Sequence, residues 1–225
     1  MHDHILPTIL QEADSLTTAA YSRLRSDILT GILKPGEKLR ISALTSRYGF
    51  GPTPVREALM LLTSRSLVDR VDQRGFTVRP VTLKEFDELL KTRCWLEEIA
   101  LRESIAHANA QWHEELVLAI WRLNQQERLK DGTENPEWEQ LHRDFHLGLL
   151  KGCNSRFLLQ TCADMFDLNT RYRYVARGFE SQGRSVGDEH QSIVDSVIAG
   201  NAEQAVEQLL SHYRTTAEPL RKNLS

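Results

Sequence analysis

Residues 49–62 read Gly-Phe-Gly-Pro-Thr-Pro-Val-Arg-Glu-Ala-Leu-Met-Leu-Leu, and they constrain the fold more than any other stretch. Two prolines this close together fit a helix only at its start, where the first N–H groups have no intrahelical partner. Gly51 is therefore expected as the N-cap and Pro52 as the first helical residue, with Pro54 still inside the first turn. Val55, Ala58, Leu59 and Leu62 then fall at i, i+3, i+4 and i+7, one apolar face. Thr53 and Arg56 stand on the other face near the N-terminus, the end that a DNA-reading helix presents to base edges and phosphates.

The flanking residues supply a context for such a helix. Ala20, Leu24 and Ile28, with Leu29 one step off, form a helical stripe from Thr17 to Thr30 that Gly31 ends. Residues 1–14 lack periodicity and are expected as a mobile arm. Lys34-Pro35-Gly36-Glu37 is a turn by composition. Leu39, Ile41, Leu44 and Tyr48 predict a short second helix closed by Gly49, which supplies the positive φ of a tight turn. Leu67 to Val71 alternates as a strand, Asp72 to Gly75 turns it, and Phe76 to Val78 returns. Three helices and a hairpin over residues 15–79 make a winged helix-turn-helix. Charge agrees: residues 15–80 carry 11 Lys and Arg against 5 Asp and Glu, whereas residues 81–225 carry 17 against 23. A basic first part on an acidic remainder suggests that only the first part binds a polyanion.

Arg79-Pro80-Val81 reads as a linker, because Pro80 disfavours helix just before it. Thr82 and Glu85 are then spaced as a capping box. Helices are predicted at 83–108, 110–130, 137–151, 155–177, 188–199 and 202–217, with no strand among them. The fold class is mainly α: the winged domain followed, over residues 82–220, by an all-α antiparallel bundle large enough to enclose a cavity. Trp95, Trp112, Trp121 and Trp138 are read as packing anchors of that bundle. No apolar run approaches the roughly 20 residues of a membrane span, and no secretory signal is expected, since no basic segment followed by an apolar stretch stands at the N-terminus. Three cysteines suit reduced thiols in the cytoplasm better than a disulfide framework.

His142 and His146 lie at i, i+4 on one helix, either an incidental packing pair or two ligands for a zinc-like ion. His190 and His212 lie on two other helices. An imidazole-rich metal with an open position could activate water, so a metalloenzyme is one alternative; a purely structural metal is another. Against the enzyme, there is no His-Glu-x-x-His, no Gly-rich phosphate loop and no Gly-x-Ser-x-Gly. Glu189 beside His190 reads as an exposed acid in a helix's first turn.

Three motifs stand in register: Ile-Leu-Thr-Gly-x-Leu-x-Pro-Gly-x-x-Leu at 28–39, Thr-Pro-Val-Arg-Glu-Ala-Leu at 53–59 and Gly-Phe-x-Val at 75–78. By them residues 20–80 resemble the GntR superfamily DNA-binding domain. Further along come Arg93-x-x-x-Glu97, Phe145-His146-x-x-Leu149, Gly152-x-Asn154, Glu189-His190-x-x-Ile193 and His212. By these pieces residues 85–217 resemble the FCD ligand-sensing domain of the FadR subfamily. The resemblance implies that Thr53 and Arg56 contact DNA and that Arg74 and Gly75 enter the minor groove at a wing tip. Arg40 and Arg47 are either phosphate contacts or solvated cations. Gly51-Pro52 departs from the family, whose members mostly carry Ser or Thr followed by Arg, so the usual operator core is not assumed.

In the bundle, the resemblance implies His146, His190 and His212 as metal ligands, with His142 standing where the family has Asp. An all-imidazole set favours zinc, with nickel or copper as alternatives, over magnesium or manganese. Arg93 is implied as the partner of an effector carboxylate, its other reading being a salt bridge to Glu97. Arg171, in the Asn169–Tyr174 run, is a second effector candidate or a solvated cation. The expectation is a cytoplasmic, homodimeric repressor of a catabolic operon. It would bind a double-stranded DNA operator under the control of a small carboxylate at or near the metal.

Overall fold

The computed structural model describes residues 5–71, 75–130, 133–175 and 184–224. The chain divides into two compact units, Met1–Thr82 with Thr170–Val175, and Leu83–Asn169 with Ala176–Ser225.

The first unit runs α1 (Ile5–Leu29), β1 (Lys38–Leu39), α2 (Ile41–Tyr48), α3 (Pro52–Ser64), β2 (Val68–Val71) and β3 (Gly75–Val78). Its core lies between α1 and α3. Ala20, Leu24 and Ile28 are fully buried, as are Val55, Ala58, Leu59 and Leu62. Each buried leucine contributes about 1.5–3 kcal/mol. Helix α3 opens as its prolines require: Gly51 is extended (φ −65°, ψ 162°), Pro52 is first, and Val55 N–H donates to the Gly51 carbonyl at 3.2 Å. Gly49 ends α2 in the left-handed region (φ 74°), its N–H on the Thr45 carbonyl.

Two expectations for this unit are corrected. Helix α1 begins at Ile5 rather than near Thr17. Pro7 falls in its first turn, where a proline is tolerated, and no breaker follows before Gly31. Leu39 is not helical but pairs with Phe76, while Lys38 pairs with Thr77. The Lys34–Glu37 turn swings the chain alongside β3: Gly36 N–H donates to the Val78 carbonyl, and Val78 N–H to that of Glu37. The antiparallel sheet therefore has the order β1-β3-β2.

The second unit holds α4 (Leu83–Ala106), α5 (Ala110–Asn124), β4 (Leu129–Lys130), β5 (Thr133–Glu134), α6 (Pro136–Leu150), a 3-10 turn (Lys151–Cys153), α7 (Arg156–Val175), α8 (Val186–Ile198) and α9 (Ala202–Leu224). The end of α7, from Thr170 on, clusters with the first unit. Helix α5 stops at Asn124, short of the expected residue 130, and a two-residue antiparallel pair follows in a stretch expected to hold no strand. Asn135 closes this corner. Its Nδ2 donates to the Glu127 carbonyl, and its Oδ1 caps α6 by accepting from Glu137 N–H. Gly152 has a packing reason: a Cβ there would meet the Ser104 backbone at 3.0 Å, so the 3-10 turn can lie against α4.

Trp112 and Trp138 are core residues, but Trp95 and Trp121 are more than half exposed. Helix periodicity decides this, since both stand off the buried stripe and Trp95 carries Lys91 over its ring instead. Helix α9 continues past its expected end at residue 217, with Pro219 inside it. Among the described residues, no helix is long and apolar enough to cross a membrane.

Candidate nucleic-acid interface and metal centre

The outer face of α3 meets β1 and the wing strands around a groove of about 740 Å³, lined by Lys38, Arg40, Arg56, Met60, Arg70 and Gly75 among others. Four cations in one concavity match the demand of a phosphate backbone. Arg56 and Thr53 are exposed at the start of α3, and Arg40 is exposed ahead of α2. Gly75 has φ 85°, which lets the chain turn sharply into β3. Arg74 lies outside the described residues.

Arg47 does not line that groove; its guanidinium lies 5.3 Å from the centre of the Tyr48 ring. Tyr48 anchors the turn before α3. Its hydroxyl donates to buried Asp27 of α1 at 2.5 Å, and burial together with that bond pushes the phenol's pKa up. Thr17 similarly donates to Glu57 of α3 at 2.7 Å.

Lys38 and Arg70 were not singled out from sequence. Strand alternation offered a signal for Arg70. It shares a face of β2 with buried Val68, and its Nη1 sits 3.5 Å from Met60 Sδ on α3. Lys38 offered none, because the β1 pairing is non-local.

In the second unit, α6, α8 and α9 bring His142, His146, His190 and His212 together. All four are buried, and one nitrogen from each lies within 4.8 Å of the others. Four imidazole nitrogens this close together are a set that could hold a metal ion. His142 Nε2 and His146 Nε2 are 3.0 Å apart. Two imidazole nitrogens at that distance need a proton or a cation between them. Trp138 stacks on His142 at 4.5 Å, fixing that ring, and Phe145 packs on His190 at 4.9 Å. Asp144, the nearest acid in sequence, is exposed and accepts from Gln140 instead.

Hydrogen bonds outside the cluster orient two of the rings. Tyr213 gives its one proton to Glu97, so the His146 Nδ1 lying 3.1 Å from the phenol oxygen must be the donor there. That leaves the lone pair of His146 on Nε2. His212 Nδ1 lies 2.7 Å from Glu189, an acceptor-only carboxylate gripped at both oxygens by Arg184. Burial pushes the pKa of Glu189 up, but the bonds from Arg184 and His212 outweigh it and hold it down at about 2. Burial lowers the pKa of His212, favouring the neutral, ligating form. Glu189 is therefore not the merely solvated acid expected from sequence. Arg184 and Tyr213 had no local signal, since their partners lie on other elements.

Arg93 fulfils its salt-bridge reading without exhausting its donors. Its Nε donates to Glu97 Oε1 at 2.6 Å, and its guanidinium lies 3.9 Å from the centre of the Tyr213 ring and 5.1 Å from that of Phe166. Its Nη2 is buried with no hydrogen-bond partner among the described residues. Leaving such a donor unpaired in the interior is costly, and an anion is one group that would satisfy it. Arg171 lies in the segment that clusters with the first unit, where its Nη2 donates to the Arg79 carbonyl.

Comparison with known proteins places both units. Residues 16–78 match the profile of "Bacterial regulatory proteins, gntR family", and residues 88–215 match that of the "FCD domain". The chain is 34% identical to the uncharacterized HTH-type transcriptional regulator BphR of Paraburkholderia xenovorans (strain LB400), over 96% of this chain and 89% of that protein. It is 33% identical to the HTH-type transcriptional repressor GlaR of Escherichia coli (strain K12), over 87% of this chain and 91% of that protein. The solved structure of E. coli McbR/YncC superposes with a TM-score of 0.78 at 22% identity, covering 93% of this chain and 99% of that one, a likeness of fold.

Proposed function

This chain belongs to the gntR family of bacterial regulatory proteins, with an FCD domain as its second part; from that premise we propose that it represses a catabolic operon and that a small organic acid beside a His-bound metal controls its grip on the operator. The family makes it a DNA-binding transcription regulator rather than an enzyme. Everything finer in this reading rests on the second unit. The observation that carries it is the buried set of four imidazoles, with the spare donor of Arg93 near the same aromatic residues.

His142, His146, His190 and His212 would hold the metal, and four neutral imidazoles suit zinc, nickel or copper. When bound, the ion supplies a fixed positive charge that ties α6, α8 and α9 together. Arg93 would pair with the carboxylate. DNA would lie along the Lys38, Arg40, Arg56 and Arg70 groove of each protomer of a homodimer in the cytoplasm. An acid controls such a protein only by binding its DNA-competent and DNA-incompetent states unequally.

A second reading has the metal purely structural. Its support is that the four protein ligands by themselves complete a four-coordinate site. One experiment separates the two: metal content and thermal melting with and without chelator, then operator binding across a panel of small carboxylates. The regulatory reading expects near-stoichiometric metal, a lower melting temperature in chelator, and an acid that changes operator affinity at least fivefold. Metal loss that lowers stability while no acid alters DNA binding would leave the structural reading. Protein without metal and indifferent to chelator would remove both.

A further inference from the structure

Two arginine–glutamate pairs flank the histidine cluster, and they end on different rings. Arg184 grips Glu189, which holds His212 directly. Arg184 also donates to Thr216 and to the His212 carbonyl, so that chain is closed. Arg93 donates to Glu97, Tyr213 donates to the other oxygen of Glu97, and His146 Nδ1 donates to Tyr213. This second chain is open at its far end, because Arg93 Nη2 is buried without a hydrogen-bond partner among the described residues.

We propose that Tyr213 is a positioning residue that couples the anion site at Arg93 to the metal site at His146. The inference rests on the proposed metal and carboxylate, and adds how one senses the other. An anion on Nη2 draws on the guanidinium charge that otherwise neutralises Glu97. Glu97 then accepts more strongly from Tyr213, and the Tyr213 oxygen accepts more strongly from His146 Nδ1–H. Hydrogen bonds in a chain polarise one another in this sense. The outcome is a more basic His146 Nε2 and a tighter metal. By linkage, the metal tightens the anion by the same factor. Because four imidazoles satisfy a four-coordinate ion, the anion has no need to touch the metal for this to work.

The chain passes through one oxygen atom, so Tyr213→Phe is the test. The variant keeps the ring that packs on Arg93 and loses only the phenol oxygen, and its metal-free melting temperature reports whether the fold is intact. Zinc affinity is measured by competition with a chromophoric chelator, with and without acetate as the anion probe. In the wild-type protein, acetate is expected to tighten zinc binding by about fivefold, the lower end of typical coupling between sites. In Tyr213→Phe, zinc alone is expected to bind about tenfold more weakly, as loss of a metal ligand's partner typically causes, and acetate is expected to have no further effect. As a second readout, acetate should move the 15N resonances of His146 in zinc-free wild-type protein and leave them in place in the variant. Equal tightening by acetate in both proteins would overturn the proposal, because the anion would then act by direct contact with the ion. Zinc binding in the wild type that ignores acetate would overturn it too. If wild-type protein takes up no zinc at all, the metal reading itself fails, a result seen without any variant.

Discussion

Arg56 stands exposed on α3 beside Lys38, Arg40 and Arg70, and packs into no core. Replacing it by alanine should therefore change binding without changing the fold. We expect Arg56→Ala to weaken operator affinity by about 1–3 kcal/mol in a gel-shift or anisotropy titration, with an unaltered melting temperature. Equal affinity would take Arg56 out of the interface. Arg93 is the opposite kind of residue, a buried cation held by Glu97. Its spare nitrogen was not legible in the sequence. The i, i+4 spacing to Glu97 shows that a salt bridge can form; only the packed structure shows which donors it leaves over.

At the scale of elements, the turn between α2 and α3 sets how the recognition helix is presented. Gly49 holds φ 74°, and a Cβ there would meet nothing within 4 Å. The cost of Gly49→Ala is thus backbone strain alone, about 1–2 kcal/mol for a left-handed L-residue. Chemical denaturation should show that loss, with a smaller loss for Asn, which tolerates the region better. Stability unchanged within a few tenths of a kcal/mol would mean that the turn is not left-handed. Elements with a strong local signal were readable: α3 from its prolines and apolar stripe, and β2–β3 from alternation. Strand β1 and the β4–β5 pair were not, because two-residue strands exist only through partners elsewhere in the chain.

For the molecule as a whole, one groove with four cations can read only a short half-site, and operator specificity in helix-turn-helix proteins comes from pairing two. We expect light scattering to give the mass of two chains, and tight binding to require both halves of a palindrome. A single chain in solution that binds one half-site as tightly as two would end the dimeric reading.

Sequence by itself determined where α3 starts and which face it buries, and that four histidines on three helices were available, because capping, periodicity and composition are local properties. Residues 28–39, 53–59 and 75–78 also sufficed to point to the DNA-binding half. Tertiary structure decided the rest. It showed that the four imidazoles converge, that Glu97 reaches His146 through Tyr213, that Glu189 holds His212, and that Trp95 and Trp121 lie outside the core. The physical reason is that hydrogen bonds between groups more than a hundred residues apart, as in Tyr213 to Glu97, depend on how helices pack, and no spacing along the chain encodes that.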